Sequence, residues 1–355
     1  MVYGITLCEE CHKNTDNYKG KANRTRQNFN TVAVTDFDNL TSITRERVLP
    51  KIIDQIGKDH PLLGRFFNSA KQWNGGTTIQ IPVKYRHNAQ GGSYSGLELL
   101  DTGQEATRTR AKFEVKQEYQ PIVLSNIDLA KNGGGDDTKI ADLMGTEMEE
   151  AHTSIEDKFG TQIFGDGTGN GGKNLDGLIA AVDDSTNIDT YGDIVRSTYT
   201  WWKANYTASV GSLMLSDLAT MYSSCKSGND TPSILVTSET VWDAYEAILQ
   251  SQVRYQSTDG NAVSADGGMK ALSFRLTPMI ADEYCTAGYI YFLNEKYLNL
   301  YYMNHPKHST DSRGFTVTPM REPTNQDGQV GFILWYGNLI NSMPRRSGVL
   351  RGVTA

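Results

Sequence analysis

Two short stretches with a period of two, separated by a long glycine-bearing connection, constrain this chain more than any other feature. In Thr78–Tyr85 the residues Ile79, Ile81, Val83 and Tyr85 alternate with Thr78, Gln80, Pro82 and Lys84. In Lys112–Tyr119 the residues Phe113, Val115, Gln117 and Tyr119 alternate with Glu114, Lys116 and Glu118. Such alternation sets one face of a strand on a core and the other in water. Pro82 has no N–H to give to a ladder, so the first strand is expected at an edge. The connection from Arg86 to Lys112 is polar and carries Gly91, Gly92, Gly96 and Gly103. The two strands therefore predict one long hairpin whose tip has too few apolar residues for a core of its own. A lone two-stranded hairpin is marginal in water. This one is expected to lean on another surface, with a neighbouring subunit as the natural candidate.

A second constraint follows the glycines Gly133, Gly134 and Gly135. Asp136 and Asp137 suit a helix N-terminus, where carboxylates complement the dipole. Ile140, Leu143, Met144, Met148, Ala151, Ile155, Phe159 and Ile163 then recur every three or four residues. The opposite face carries Glu147, Glu149, Glu150, Glu156, Asp157 and Lys158. The spacing predicts a helix over 136–164, stopped by Gly165, Gly167, Gly169, Gly171 and Gly172. Upstream, Met1–Asn39 shows no period and reads as an extended polar arm, with Lys13, Lys19, Lys21, Arg24 and Arg26 opposed by Asp16. A helix over Thr44–Gln55 and an apolar patch of Leu62, Leu63, Phe66 and Phe67 come next. Downstream the pattern is mixed. Helices are expected at Ser212–Lys226 and Glu239–Leu249, and strands at Ser233–Thr237, Leu272–Leu276, Tyr289–Asn294, Leu298–Tyr302, Phe315–Met320 and Gly331–Tyr336. A polar loop spans Tyr255–Gly268, and a tail from Met343 to Ala355 carries Arg345, Arg346 and Arg351 without an acid.

The 355 residues suffice for two or three domains. The net charge of −7 argues against a sequence-reading DNA-binding module, which would be basic, and leaves the arm and tail with weak phosphate contacts only. No apolar run is long enough for a membrane span, and the first thirty residues lack the apolar stretch of a secretory signal. Four cysteines fit a reducing compartment. Cys8, Cys11 and His12 form C-x-x-C-H, but a structural zinc needs four ligands and Cys225 and Cys285 are solitary, so no metal is expected. Gly165–Gly172 lacks the Lys-Ser/Thr ending of a phosphate loop and follows a helix instead of opening one. His305 and His308 flank Pro306 in a polar segment and read as solvated loop residues. His152, near Glu149, Glu150 and Glu156, reads as a surface pair. With no catalytic signature in the chain, neither an active site nor a cofactor is expected. The rival from another class is a soluble α/β hydrolase with its site near Gly165–Gly172.

The order of these parts is the most specific observation: polar arm, short helix, long hairpin, glycine break, long helix, glycine stop, mixed domain, returning strands. In that order the chain, from about Asp36 to Ala355, resembles the major capsid proteins of tailed bacteriophages with the Hong Kong 97-like (Johnson) fold. FGDGTGNGGKNLDGLI, Phe164–Ile179, is similar to the turn after that family's spine helix. SILVTSETVWDAYEAIL, Ser233–Leu249, resembles its axial strand–helix unit, and NSMPRRSGVLRG, Asn341–Gly352, its C-termini. The resemblance implies an α+β fold: arm 1–39, a segment 40–76 leading into the peripheral domain, an extended hairpin (E-loop) 77–120, a peripheral domain 121–187 with the spine at 136–164, an axial domain 188–312, and return strands with a tail at 313–355. It implies self-assembly as hexamers and pentamers into an icosahedral shell around double-stranded DNA, formed in the host cytoplasm and found in the virion. An encapsulin-type compartment, which shares the fold, is the nearer alternative. Partners implied are a separate scaffolding protein, since residues 1–39 are short for a built-in one, a portal and decoration proteins, with no membrane. Arg86, His87, Arg108, Arg110 and Lys112, facing Glu98, Asp101 and Glu105, are the expected inter-subunit contacts of the hairpin. Lys84 and Lys112 lie in it, but nothing singles out a partner Asn, so covalent cross-linking is not expected.

Overall fold

A computed structural model describes residues 60–132, 143–250 and 272–354, all of them within Ile53–Ala355. The basic arm, the helix expected at Thr44–Gln55, residues 136–142 of the expected long helix and the loop expected at Tyr255–Gly268 lie outside the described residues.

The apolar patch at Leu62–Phe67 is a helix, α1 (Pro61–Asn68), with proline in its first turn, where a missing N–H costs nothing. After β1 (Lys71–Gln72) come the hairpin strands β2 (Thr78–Lys84) and β3 (Arg108–Glu114), then β4 (Lys116–Ser125). The return strand thus starts at Arg108, earlier than its alternation suggested, and breaks at Val115, where β4 leaves β2 and joins another sheet. The long helix α2 is described over Leu143–Ile163. Only its C-terminal half is seated: Ala151, Ile155, Phe159, Gly160 and Ile163 are buried, while Met148 is exposed. Glu156 and Asp157, expected on its solvent face, instead tie it to the rest of the chain. Glu156 meets His152 and Arg313, each at 3.5 Å. Asp157 meets His60 at 3.1 Å and accepts the Tyr284 hydroxyl at 2.9 Å.

The second region holds β5 (Asn205–Thr207), α3 (Leu215–Cys225), β6 (Ile234–Thr237), α4 (Glu239–Gln250), β7 (Leu272–Phe274), β8 (Thr277–Ala281) and β9 (Ile290–Leu293). It is followed by β10 (Leu298–Tyr302), β11 (Phe315–Val317), β12 (Gly328–Asn341) and β13 (Gly348–Leu350). One sheet runs β1-β10-β12-β11, with β4 antiparallel to β12 from Gly328↔Ser125 to Gly337↔Lys116. The other runs β7-β8-β6-β9-β13-β5. Helix α2 lies on the inner face of the β4·β12 pair, where Ile122, Leu124, Ile333 and Trp335 are buried. There Phe159 meets Phe67, Phe315 and Trp335 edge-on at 5.6, 5.8 and 4.9 Å. Helices α3 and α4 close a smaller core on the second sheet through Leu218, Met221, Val241 and Tyr245.

Among the strands labelled above, β1, β5, β8 and β13 escaped the sequence reading, and β8 and β13 show why. Strand β8 contains Pro278, which argues against an inner strand, and it is reached through a tight turn in which Arg275 and Leu276 take φ of 49° and 67° without a glycine. The C-terminal segment is not a free tail. Its β13 lies between β9 and β5, and Arg351 packs over the rings of Tyr206 and Tyr289 at 5.5 and 4.5 Å and hydrogen-bonds both hydroxyls.

Candidate assembly surface

The hairpin is built in three zones. At its foot Ile79, Ala111 and Phe113 are buried, so the alternating face rests on this same chain and not first on a neighbour. Phe113 meets Tyr191 edge-on at 4.9 Å, and Lys112 gives its N–H to Gly192 O at 3.0 Å. Gly192 has φ of 62°, and a Cβ there would stand 2.6 Å from the Phe113 ring, so only glycine lets the foot come this close. Asn338 locks the foot from beneath. Its amide donates to Glu114 O at 3.0 Å and to the Asp176 carboxylate at 2.7 Å. Burial holds the Asp176 carboxyl above the usual carboxylate range, against the pull of Asn338. Lys116 Nζ donates to Gly172 O at 2.6 Å. The loop Gly165–Gly172 thus ends α2 and carries the hairpin foot: Asp166 accepts from Thr168, and Gly177 packs so closely on Gln162 O and Gly165 O that a side chain there would strike them.

In the middle zone seven register pairs run from Thr78↔Glu114 to Lys84↔Arg108, with Pro82 opposite Arg110. Among the described residues strand β2 has no other partner, in keeping with its proline. Tyr85 stacks on Trp201 at 5.3 Å and gives its hydroxyl to Ala106 O at 2.6 Å.

Beyond this the tip stands clear, and its expected contact residues work mainly inside the loop. Arg86 Nε donates to Ala106 O at 2.8 Å. Glu105 accepts from Ala89 N, Glu98 from Ser95 N and Asp101 from Gly103 N at 3.0–3.1 Å. Arg110 donates to Gln80 at 3.1 Å, and Lys112 lies 3.6 Å from Asp193. His87 and Arg108 are exposed, and their side chains make no hydrogen bond or ion pair among the described residues. Sequence reasoning missed what the tip presents outward: Tyr94 and Leu100 are more than half exposed, and Leu97 and Leu99 fully so, at 105% and 102%. The cue was the run Gly96-Leu97-Glu98-Leu99-Leu100, an apolar cluster inside a stretch that reads as polar overall.

Elsewhere the candidate groups are structural. Cys225 and Cys285 are buried free thiols, and burial pushes the Cys225 thiol up to about 12. Cys8, Cys11 and His12 lie outside the described residues. Among the described residues no group of three His, Cys, Asp or Glu side chains could hold a metal ion, and no helix is long and apolar enough to cross a membrane. His305 and His308 are partly exposed residues of the loop after β10, and contacts within that loop also hold them. They stack at 4.7 Å, with His305 also on Tyr336, and His305 Nδ1 accepts the Lys307 and His308 N–H groups at 3.1 Å.

A long helix on a sheet, a projecting hairpin rooted beside that sheet, and a second mixed sheet flanked by helices define the Hong Kong 97-like capsid fold. Comparison with solved structures agrees. The capsid asymmetric unit of cyanophage A-1(L) superposes with a TM-score of 0.66 at 16% identity, covering 89% of this chain and 98% of that one. The capsid of the native GTA particle gives 0.56 at 11% identity, covering 86% and 96%. The SrpI encapsulin of Synechococcus elongatus PCC 7942 gives 0.54 at 10% identity, covering 91% and 96%. No protein-family model and no curated protein matches the sequence.

Proposed function

We propose that this chain is the major capsid protein of a tailed bacteriophage, assembling as hexamers and pentamers into an icosahedral shell around double-stranded DNA. The observation that carries the reading is the hairpin tip: a segment of this fold whose apolar side chains nothing among the described residues covers. Ordering a backbone costs about 1–2 kcal/mol per residue, and a shell of many copies supplies the contacts that a monomer lacks. In this reading Arg86, His87, Arg108, Arg110 and Lys112 on the flanks, with Glu98, Asp101 and Glu105 at the tip, form the charged part of the contact. Exposed pairs are each worth about 0–1 kcal/mol, so single changes are mild. In the same reading Lys13, Lys19, Lys21, Arg24 and Arg26 of the arm belong on the inner side or beneath a neighbour, with only weak phosphate contacts to packaged DNA. A scaffolding protein, a portal and decoration proteins complete the particle, which is built in the host cytoplasm, and the chain itself performs no catalysis. The SrpI likeness supports a second reading, a compartment with protein cargo. Negative-stain images and nucleic-acid content of purified particles separate the two. Deleting Gln90–Gly103 is expected to leave folded, soluble chains without shells; normal particles from that variant would sink the proposal.

A further inference from the structure

The segment between β10 and β11, residues 303–314, is pinned at both ends. Met303 gives its N–H to Tyr336 O at 2.8 Å, which ties the entry to β12. At the exit the Asp311 carboxylate accepts the Arg313 and Phe315 N–H groups at 2.9 and 2.7 Å, and its own N–H goes to Phe315 O. Between these pins Asn304, Pro306, Lys307 and Ser309 are exposed, and the backbone is gathered around His305.

His305 Nδ1 accepts two N–H groups, those of Lys307 and His308, each at 3.1 Å. Asp and Asn make such turns when a side-chain oxygen takes backbone donors just ahead, and here Pro306 fixes φ in between. The His305 N–H runs on to Thr310 Oγ1 at 3.0 Å, and Thr310 Oγ1 meets Thr316 Oγ1 of β11 at 2.8 Å. The ring stacks on His308 at 4.7 Å and on Tyr336 of β12 at 5.9 Å.

An imidazole in this place changes its role near neutral pH, which an amide does not. With two donors at Nδ1, the ring is neutral and carries its proton on Nε2. A proton on Nδ1 sets one N–H against two others, and both hydrogen bonds are lost. The titratable and charged groups that face His305 are His308 and Lys307 of its own loop and Tyr336 of β12; among the described residues no carboxylate pairs with it. Partial burial, then His308 and Lys307, hold the His305 pKa below 6.5. The turn's contribution to stability is therefore complete above 6.5 and is lost as pH falls through the lowered value.

We propose that residues 304–310 form an acid-released latch. Neutral His305 closes the segment onto β11 and β12; a proton taken up at Nδ1 frees it, while Met303 and Asp311 keep the ends in place. The freed segment carries an imidazolium beside Lys307 and uncovers the ring of Tyr336. The latch belongs to the single chain and goes beyond the shell reading, which stands or falls without it.

Hydrogen exchange read by mass spectrometry on the full-length chain tests it. Wild type and His305→Asn are compared at each pH, so that intrinsic exchange at Lys307 and His308 cancels. Asn Oδ1 reaches where Nδ1 stands and stays an acceptor throughout. Peptides over 303–311 are expected to be equally protected in both chains at about pH 7.5, and about tenfold less protected in wild type at about pH 5, the scale of losing two hydrogen bonds. Peptides from α2 and β12 should stay protected at both. A wild-type profile that tracks His305→Asn down to about pH 5, or loss of protection in α2 and β12 in step with the loop, overturns the latch. Should His305→Asn be open already at about pH 7.5, the wild type decides alone: protection over 303–311, corrected for intrinsic exchange, that falls by about tenfold towards about pH 5 supports the latch, and a flat profile overturns it.

Discussion

Phe159 tests whether α2 is seated on the sheet as described, because the cost of removing its ring follows from the surroundings. The side chain is 1% exposed and sits edge-on to three other rings at 4.9–5.8 Å. Phe→Ala in a core costs about 3–5 kcal/mol, transfer and cavity together. Each edge-to-face contact adds about 0.5–1.5 kcal/mol beyond area. The site is walled by α1, β11 and β12, elements fixed by their own pairings, so collapse into the hole is limited. Phe159→Ala is therefore expected at the upper end, about 4–5 kcal/mol, a large part of the roughly 5–15 kcal/mol that holds a native domain together. Met148→Ala, on the same helix but 38% exposed, should cost under about 1 kcal/mol. Urea unfolding of soluble chains, followed by tryptophan fluorescence, measures both, with Trp335 only 4.9 Å from the Phe159 ring as the local reporter. A loss below about 2 kcal/mol for Phe159→Ala, or one no larger than that of Met148→Ala, would refute the packing argument.

Two further outcomes follow from charged groups. The Glu156 hydrogen bond raises the His152 pKa above 6.5, and His152 in turn lowers Glu156 below 4.5. The histidine's contribution is present below 6.5 and lost as pH rises through its raised value; the carboxylate's is present above 4.5 and lost as pH falls through its lowered value. The tie between the two thus stabilises most between about pH 4.5 and 6.5, and since both groups are partly exposed His152→Ala should remove less than about 1 kcal/mol there. A cost for His152→Ala that stays flat from pH 4 to 8 would contradict it. Asp183 and Arg196 are fully buried 4.0 Å apart, and Asp183 also accepts the N–H groups of Ser185, Asn187 and Ile188. Asp183→Ala should cost about 3–5 kcal/mol in the same urea titration, since it strands a buried guanidinium and three backbone donors. A cost under about 1 kcal/mol would show that Arg196 and the loop find other partners.

The sequence by itself determined the hairpin, the seated half of the long helix, its glycine stop and most strands, because each depends on a local period or a local breaker. Alternation at Thr78–Lys84, a helical repeat at Ala151–Ile163 and five glycines after Phe164 act within a few residues of themselves. Their order along the chain carried the fold. What lay beyond reach was decided by partners far away in sequence. Strand β8 survives Pro278 because β6 and β7 flank it, and the segment with Arg345, Arg346 and Arg351 reads as a tail until β9 and β5 are seen to enclose its strand. Glu156 and Asp157 sit on the polar side of the helical repeat, but Arg313, His60 and Tyr284 arrive there from distant elements. The run from Gly96 to Leu100 marks an apolar cluster in a polar stretch, but nothing local says whether Leu97 is covered. Only the tertiary structure, in which six ladder steps of about 3.4 Å carry the tip beyond the foot seated by Phe113, leaves that side chain in water.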